Sequence, residues 1–337
     1  HSSTIFNSKG QPVVCLNPGC NAINVTDSEI RITLNEQIRK GKKTHVVLRK
    51  QLNGRVVDIR NEQINQKFMA HFQDDINAVN AFVNRKIGSF QHTIYSRDCY
   101  FGSSAFTDLI HNLQLTVTGA DISFNAPLAF DAQIKAGDVF VSDLFNLYKY
   151  ENNIYLLKMT GEEIRNYLEM SYDLWVNTMT TPDDHILLID NKTKDDQQRF
   201  GFKNFTFNFD SAAGIDYEVD VTKPKGNKVN ILRMSDGTPF SLKKTYKVAM
   251  NSYRGNGGGE LLTRGAGISM PELKQRIVFE SKHDQRYYLM QWIEKFGEIN
   301  PKPNNNWKFV PAAWAIPALK RDKMLIFGQP QREEDVK

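Results

Sequence analysis

The sequence predicts an α+β protein, and three observations carry that expectation. Short alternating apolar runs occupy the first sixty positions, a helix-period stripe follows, and strand-like and helix-like segments then intermingle to the end. With 337 residues and 40% hydrophobic content, the chain can bury a substantial core and exceeds the usual size of one domain, so two structural units are expected.

Taken in order, residues 12–16, the alternation Ile30, Ile32 and Leu34 with Arg31 and Thr33, residues 45–48, and residues 55–58 read as short strands, with Asn53-Gly54 between the later ones as a turn. That is a small antiparallel meander, too thin to fold alone, and suggests the edge of a larger domain. Across residues 61–87, Ile64, Phe68, Phe72, Ile76, Val79 and Val83 recur at steps of four and three, which predicts one long helix ended by Gly88. Such a helix serves as a linker strut or packs on the second unit, and both can hold.

From residue 89 the spacing predicts a helix over 98–115, a strand over 120–125, a helical turn over 143–145 and a strand over 153–159. Thr160-Gly-Glu-Glu163 has the form of a capping box opening a helix through Met170, with Ile164, Tyr167 and Leu168 facing inward. Residues 176–203 are polar and read as an exposed excursion. Tyr217, Val219 and Val221 alternate with polar neighbours, and residues 229–234 follow with Asp236-Gly237 as the hairpin turn. Ser281 is placed as the cap of a helix carrying Leu289, Trp292, Ile293 and Phe296. No repeat of fixed period is visible.

Lys plus Arg exceed Asp plus Glu by 43 to 38, without a dense basic run of the kind that tracks a nucleic-acid backbone. The balance is compatible with small anionic ligands and does not argue for DNA or RNA. No apolar run reaches the roughly 18 residues of a membrane span. The polar opening His-Ser-Ser-Thr, without an initiating Met or signal peptide, is that of a processed or trimmed chain. Three cysteines allow at most one internal bridge; Cys15 and Cys20 flank a turn and either pair or remain free thiols.

The seven histidines are scattered, with no His-x-x-x-His or Cys-x-x-Cys spacing, and neither a Gly-x-Ser-x-Gly elbow nor the Lys-Ser/Thr of a phosphate-binding loop is present. The residues therefore describe a binding surface better than a catalyst. Asn251-Ser-Tyr-Arg-Gly-Asn-Gly-Gly-Gly-Glu260 leaves a strand-like segment with one aromatic, one Arg and four glycines, and residues 146–153 carry Tyr148 and Tyr150. An exposed loop tyrosine can stack on a nucleobase for roughly 1–3 kcal/mol. The alternative is that Tyr148, Tyr150 and Tyr253 are partly buried loop anchors.

The order of several motifs is more specific than any one of them. Ser96-Arg-Asp-Cys-Tyr-Phe-Gly102, Ser123-Phe-Asn-Ala-Pro127, Leu147-Tyr-Lys-Tyr150, Tyr167-Leu-Glu-Met-Ser171, Gly214-Ile-Asp-Tyr217 and Asn251-Ser-Tyr-Arg254 resemble, in sequence order, the C-terminal substrate-binding domain of the 5'-nucleotidase family. The resemblance spans roughly residues 88–325 and looks closest to the 2',3'-cyclic-nucleotide 2'-phosphodiesterase/3'-nucleotidase branch. It implies that Tyr150 and Tyr253 clamp the base, that Arg97 and Asn125 approach ribose and phosphate, and that Asn251, Arg254, Gly257 and Gly258 complete the substrate loop. Ala126-Pro-Leu-Ala-Phe130 departs from the glycines and second Arg of the classical pattern, and Gly259, with Glu260 one step on, replaces its ribose-binding acid. Both departures favour the cyclic-phosphodiesterase-like branch.

The same resemblance divides the chain into residues 1–60, the tail of a metallophosphatase domain with its Leu16-Asn-Pro-Gly19 turn; a linker helix and hinge, 61–87; and a nucleotide-binding domain, 88–337. His1 matches the last His of the family's Gly-His-x-His motif, and so a metal ligand, or else is a tag remnant. The intact family member uses two divalent metal ions to generate hydroxide and stabilise in-line displacement at phosphorus. Nearly all their ligands would lie upstream, leaving this chain the nucleoside clamp and inactive alone. The implied partners are a nucleotide or nucleoside and the upstream metallophosphatase domain, and the implied location is exported, periplasmic or surface-attached. The competing expectation is a non-catalytic nucleoside-binding or cell-surface interaction module.

Overall fold

The computed structural model describes residues 3–7, 9, 11–17, 23–39, 41–195 and 199–328. They form two compact units, residues 1–77 and residues 78–337.

In the first unit, β1 (Ser3–Phe6) pairs antiparallel with β2 (Pro12–Leu16), and β3 (Asn24–Arg39) pairs antiparallel with β4 (Lys42–Asp58) along its whole length. This long ribbon replaces the expected short meander. Asn53 and Gly54 are not a turn: they lie within β4 opposite Glu29 and Ser28, and the chain reverses between Arg39 and Lys42, where Gly41 has φ +75°. The alternation on both arms continues through Asn53-Gly54, so cross-strand pairing there outweighs local turn chemistry. Gly54 instead admits β2, since a Cβ would stand 3.0 Å from Leu16 Cδ1 and Val14 Cγ1. One ribbon face carries the ion pairs Arg55–Asp27 and Arg31–Glu29, both at 2.9 Å. On the other, Ile30, Ile32, Leu52 and Val56 share a side and remain exposed. Cys15 is exposed, and its candidate partner Cys20 lies outside the described residues.

The expected single helix over 61–87 is two pieces, α1 (Gln66–His71), capped by Asn65, and α2 (Gln73–Val83). The division between the units falls within α2. Gly88 does not end a helix. It lies inside β5 (Lys86–Phe90), where a Cβ would come within 2.6 Å of the Gly297 carbonyl oxygen and 2.7 Å of Ile293 Cγ2, so close packing demands the glycine.

The second unit continues with β6 (Ile94–Tyr95), a 3-10 turn over Ser96–Tyr100 and α3 (Ala105–Thr118). The expected helix from residue 98 thus starts later, at the Ser104 cap, and Gly119 closes it with φ +60°. Next come β7 (Ile122–Asn125), β8 (Gln133–Ile134), β9 (Gly137–Phe140) and α4 (Asp143–Leu147). β10 (Asn153–Thr160) then leads into α5 (Gly161–Trp175), whose Thr160/Glu163 capping box is fully formed and whose Ile164, Tyr167 and Leu168 are buried.

Residues 176–203 hold the hairpin β11 (Ile189–Lys194) and β12 (Phe200–Phe202). The segment is anchored rather than free: Val176, Met179, Ile186 and Leu187 are buried, and buried Asp322 accepts from the Leu187 N–H at 3.0 Å. Then follow β13 (Ser211–Ala213), β14 (Ile215–Asp220) with inward Ile215, Tyr217 and Val219, β15 (Val229–Met234), β16 (Thr245–Asn251) and the short α6 (Ser252–Gly255). Asp236-Gly237 turns the chain after β15; the β14–β15 hairpin itself closes through residues 221–228.

The chain ends with α7 (Met270–Arg276), β17 (Ile277–Asp284), α8 (Gln285–Phe296), β18 (Glu298–Ile299), β19 (Trp307–Val310) and α9 (Ala312–Phe327). Asp284, not Ser281, caps α8, because the strand runs to residue 284 and the Ser281 hydroxyl is spent on the Ile154 N–H at 2.8 Å and the His283 carbonyl at 2.7 Å.

The main sheet has the order β13-β7-β16-β10-β17. β7 and β16 are parallel, while β16 and β10 are antiparallel. Two three-stranded sheets have the orders β15-β14-β19 and β18-β5-β9. One buried cluster packs α5 against the main sheet through Phe124, Leu157 and Val248, against β14 and β19 through Tyr172, Trp175, Tyr217 and Trp307, and takes in Ala315 and Ala318 of α9; a second sits under α3 and α8 around Phe106, Leu113 and Leu289.

Candidate functional site

Sheet topology brings three distant segments to one place. β16 is central, and its last residue is Asn251; parallel β7 ends on the same side with Asn125, and antiparallel β10 begins there just after Tyr150. The loops 126–132, 147–152 and 252–260 therefore all leave one end of the sheet. They are tied together there. The Ser252 hydroxyl accepts the Asn153 N–H at 3.1 Å, and Asn251 caps α6 by accepting the Arg254 N–H at 2.8 Å.

The three candidate tyrosines divide by burial. Tyr148 is fully buried, accepts from Asn152 Nδ2 at 3.3 Å, and has its phenol pushed up by burial, so it is a loop anchor. Tyr150 and Tyr253 are 46% and 45% exposed and emerge from adjacent strand ends. Rings held on short loops with half their surface in water suit stacking with a planar ligand.

Asn125 is 1% exposed, and neither its Oδ1 nor its Nδ2 has a hydrogen-bond partner among the described residues. A buried amide left unpaired costs roughly 1–3 kcal/mol, and its donor and acceptor are unsatisfied by the described residues. Arg97, in the Ser96–Tyr100 turn, lies over the Tyr95 ring at 4.5 Å and places Nε 3.5 Å from Asp131 Oδ1. That turn is pinned to the loop leaving Asn125 by the Ala132 N–H donating to Ser96 Oγ at 2.7 Å. Arg199 shares Asp131 at 2.8 Å and lies over Phe130 at 5.0 Å, which brings a second guanidinium beside Arg97. Sequence reading missed Arg199, since it belongs to the segment read as an excursion.

Arg254 was assigned to the substrate, and the structure gives it to the protein. It is 2% exposed. Nε and Nη2 bind Asp210 at 3.2 and 2.9 Å, Nη2 also donates to the Phe207 carbonyl at 2.6 Å, and Nη1 donates to Asn208 Oδ1 at 3.2 Å and the Gly258 carbonyl at 2.5 Å. These contacts occupy all five guanidinium hydrogens, leaving none for a ligand. Burial opposes the charge, but the Asp210 carboxylate more than offsets it and holds the pKa above the ordinary guanidinium value. Tyr167 donates its hydroxyl to the same carboxylate.

The glycines were assigned to close approach by a ligand, and their packing gives another reason for them. A Cβ on Gly258 would stand 2.5 Å from the Tyr253 ring, one on Gly259 2.1 Å from Asn208 Oδ1, and one on Gly257 2.7 Å from Met270 Sδ. Gly257 and Gly259 also have φ of +88° and +69°. The loop thus curls beneath its own tyrosine. Glu260 follows at φ +62°, an uncommon conformation for a side chain, with its carboxylate 2.7 Å from Arg264 Nη1.

Among the described residues no group of three or more His, Cys, Asp or Glu side chains could hold a metal ion, so these residues do not fit a dimetal centre. His1, the one position offered to a metal, lies outside them. Among the same residues no helix is long and apolar enough to cross a membrane.

The fold and the site define a class: an α+β domain whose loops at one sheet end carry aromatic, amide and guanidinium groups. More particularly, the chain belongs to the 5'-nucleotidase family, whose model for the 5'-nucleotidase C-terminal domain matches residues 86–264. It is 32% identical over 192 residues to the trifunctional nucleotide phosphoesterase protein YfkN of Bacillus subtilis, covering 53% of this chain and 12% of YfkN. It is 25% identical over 283 residues to the 2',3'-cyclic-nucleotide 2'-phosphodiesterase/3'-nucleotidase of Salmonella typhimurium, covering 73% of this chain and 40% of that protein. A Staphylococcus aureus structure described as a 5'-nucleotidase shares the fold with TM-score 0.59 at 19% identity, over 91% of this chain and 54% of that one. The chain therefore spans about half or less of these relatives.

Proposed function

We propose that this chain is the nucleotide-recognition part of a dimetal phosphohydrolase of nucleotide catabolism, with the base held between Tyr150 and Tyr253. The observation that carries this reading is the convergence, at one sheet end, of two half-exposed tyrosines and a buried Asn125 amide without a partner among the described residues. In the reading, each tyrosine offers a face to the base, Asn125 offers donor and acceptor to the ribose or phosphate, and Arg97 supplies the charge for an anionic substituent. Asn251, Gly257, Gly258 and Arg254 act on the substrate through the shape of the loop.

Hydrolysis is assigned to an upstream metallophosphatase domain that would hold the two metals. When bound, they would supply an activated hydroxide and neutralise charge at phosphorus. An intact protein of this kind is exported, and a chain without that domain is inactive. The exposed apolar face of the β3–β4 ribbon supports a covering domain, because a two-stranded ribbon with one oily face is not stable unaided in water. The 2',3'-cyclic substrate class is favoured by Ala126 to Phe130 and by Gly259 where the classical pattern has an acid.

Titration with adenosine or 3'-AMP, followed by tyrosine fluorescence, tests the clamp. Saturable binding that Tyr253→Ala weakens at least tenfold is expected. Binding indifferent to that substitution, or none, contradicts it.

A further inference from the structure

Phe207 has no assigned role, yet its ring stands edge-on to Tyr253, with centroids 6.2 Å apart and planes at 89°. Phe205 stacks parallel behind it, at 5.2 Å and 9°, and is itself 72% exposed. Two stacked phenylalanines on a surface loop, beside a half-exposed tyrosine, make an apolar corner in water that intramolecular packing leaves open. The corner is also rigid. One guanidinium, that of Arg254, donates to the Phe207 carbonyl, to Asn208 Oδ1 and to the Gly258 carbonyl, so the Phe207 loop and the Tyr253 loop are held in one register. Asp210, on the same loop as Phe207, fixes that guanidinium from below.

We infer that Phe207 is a third aromatic contact of the ligand, which with Tyr253 forms a two-walled corner selecting bicyclic over monocyclic bases. The inference rests on the reading that Tyr253 stacks a base. A six-membered pyrimidine is covered by one tyrosine ring. A purine is wider by a five-membered ring, and its overhanging edge meets the adjacent aromatic wall, where an edge-to-face contact is favourable. Phe205 backs the wall, and Arg254 is a positioning residue for both rings.

The test is calorimetric titration of the chain and of Phe207→Leu with adenosine and with uridine; leucine keeps apolar bulk but removes the ring. The expected result is a roughly 3–10-fold loss for adenosine, the range of one aromatic pair, with uridine changed less than about twofold. Equal losses for both nucleosides would mean a structural role and overturn the inference. So would an unchanged adenosine affinity in a chain whose binding Tyr253→Ala abolishes; that outcome leaves the base clamp standing. Binding of neither nucleoside by the unsubstituted chain overturns the clamp and this inference together. Should the leucine variant fail to fold, Phe207→Trp, which enlarges the wall, is expected to raise the adenosine-to-uridine affinity ratio, and an unchanged ratio overturns the inference.

Discussion

Replacing Arg254 by Met removes a buried cation and leaves Asp210, whose side chain is 3% exposed, with the Tyr167 hydroxyl as its remaining side-chain donor among the described residues. Deleting one partner of a buried pair typically costs about 3–5 kcal/mol, because the other charge stays desolvated and uncompensated. The Phe207 and Gly258 carbonyls lose donors in the same step, so a value near about 4 kcal/mol is expected. Asp210→Asn, which neutralises the anion at nearly constant shape, is expected to cost about 2–3 kcal/mol alone. Combined with Arg254→Met it should cost less than the sum by at least about 2 kcal/mol, since no charge is then stranded. Urea unfolding followed by tryptophan fluorescence is the assay. All four tryptophans, Trp175, Trp292, Trp307 and Trp314, lie in the second unit, so the signal reports on the unit containing the pair. Additive effects, or a single Arg254→Met cost below about 1 kcal/mol, would refute the view that this pair braces the loops.

Two buried groups give opposite pH signatures. Burial pushes the Asp108 carboxyl up to about 6, so between its ordinary value of 3.8 and 6 the folded chain keeps a proton the unfolded chain has lost. Stability should fall by roughly 3 kcal/mol as pH rises through that window, and the slope should vanish in Asp108→Asn, as read by urea unfolding at pH 4 and pH 7. His111, buried between the Ser123 and Ser211 hydroxyls at 2.9 and 3.2 Å, is pushed down to about 3. It stays neutral in the fold while the unfolded imidazole protonates below 6.5, which withdraws roughly 2 kcal/mol between pH 6.5 and 5; a proton NMR titration should find its ring resonances flat down to pH 4. Gly259→Ala places a methyl group on a left-handed backbone and against Asn208 and Arg254, and a loss of about 1–3 kcal/mol in the same unfolding assay is expected, with weaker adenosine binding.

What could be read from the sequence was what local chemistry decides. The Thr160/Glu163 capping box is an i to i+3 arrangement and formed as read, and the alternation through Tyr217 and Val219 faces inward as its period requires. Family membership was legible from the order of several motifs, and the family model matches residues 86–264, where most of them lie. The site's supports were not. Arg254 is held by residues 207, 208 and 210, more than forty positions away, and no spacing rule joins an arginine in one loop to a carbonyl in another. The same applies to Arg199 beside Arg97. Asn53-Gly54 misled for a related reason: a turn dipeptide yields when both flanking arms find better partners in a longer strand. Ser281 and Asp284 are both competent caps three positions apart, and the choice fell to how far the β17 ladder extends.

The clamp is the central claim, and a crystal structure of the chain with adenosine bound tests it most directly. The expected density places the base between the Tyr150 and Tyr253 rings, with the Asn125 amide hydrogen-bonded to the ligand. Adenosine bound elsewhere, or stacked on neither tyrosine, would contradict it.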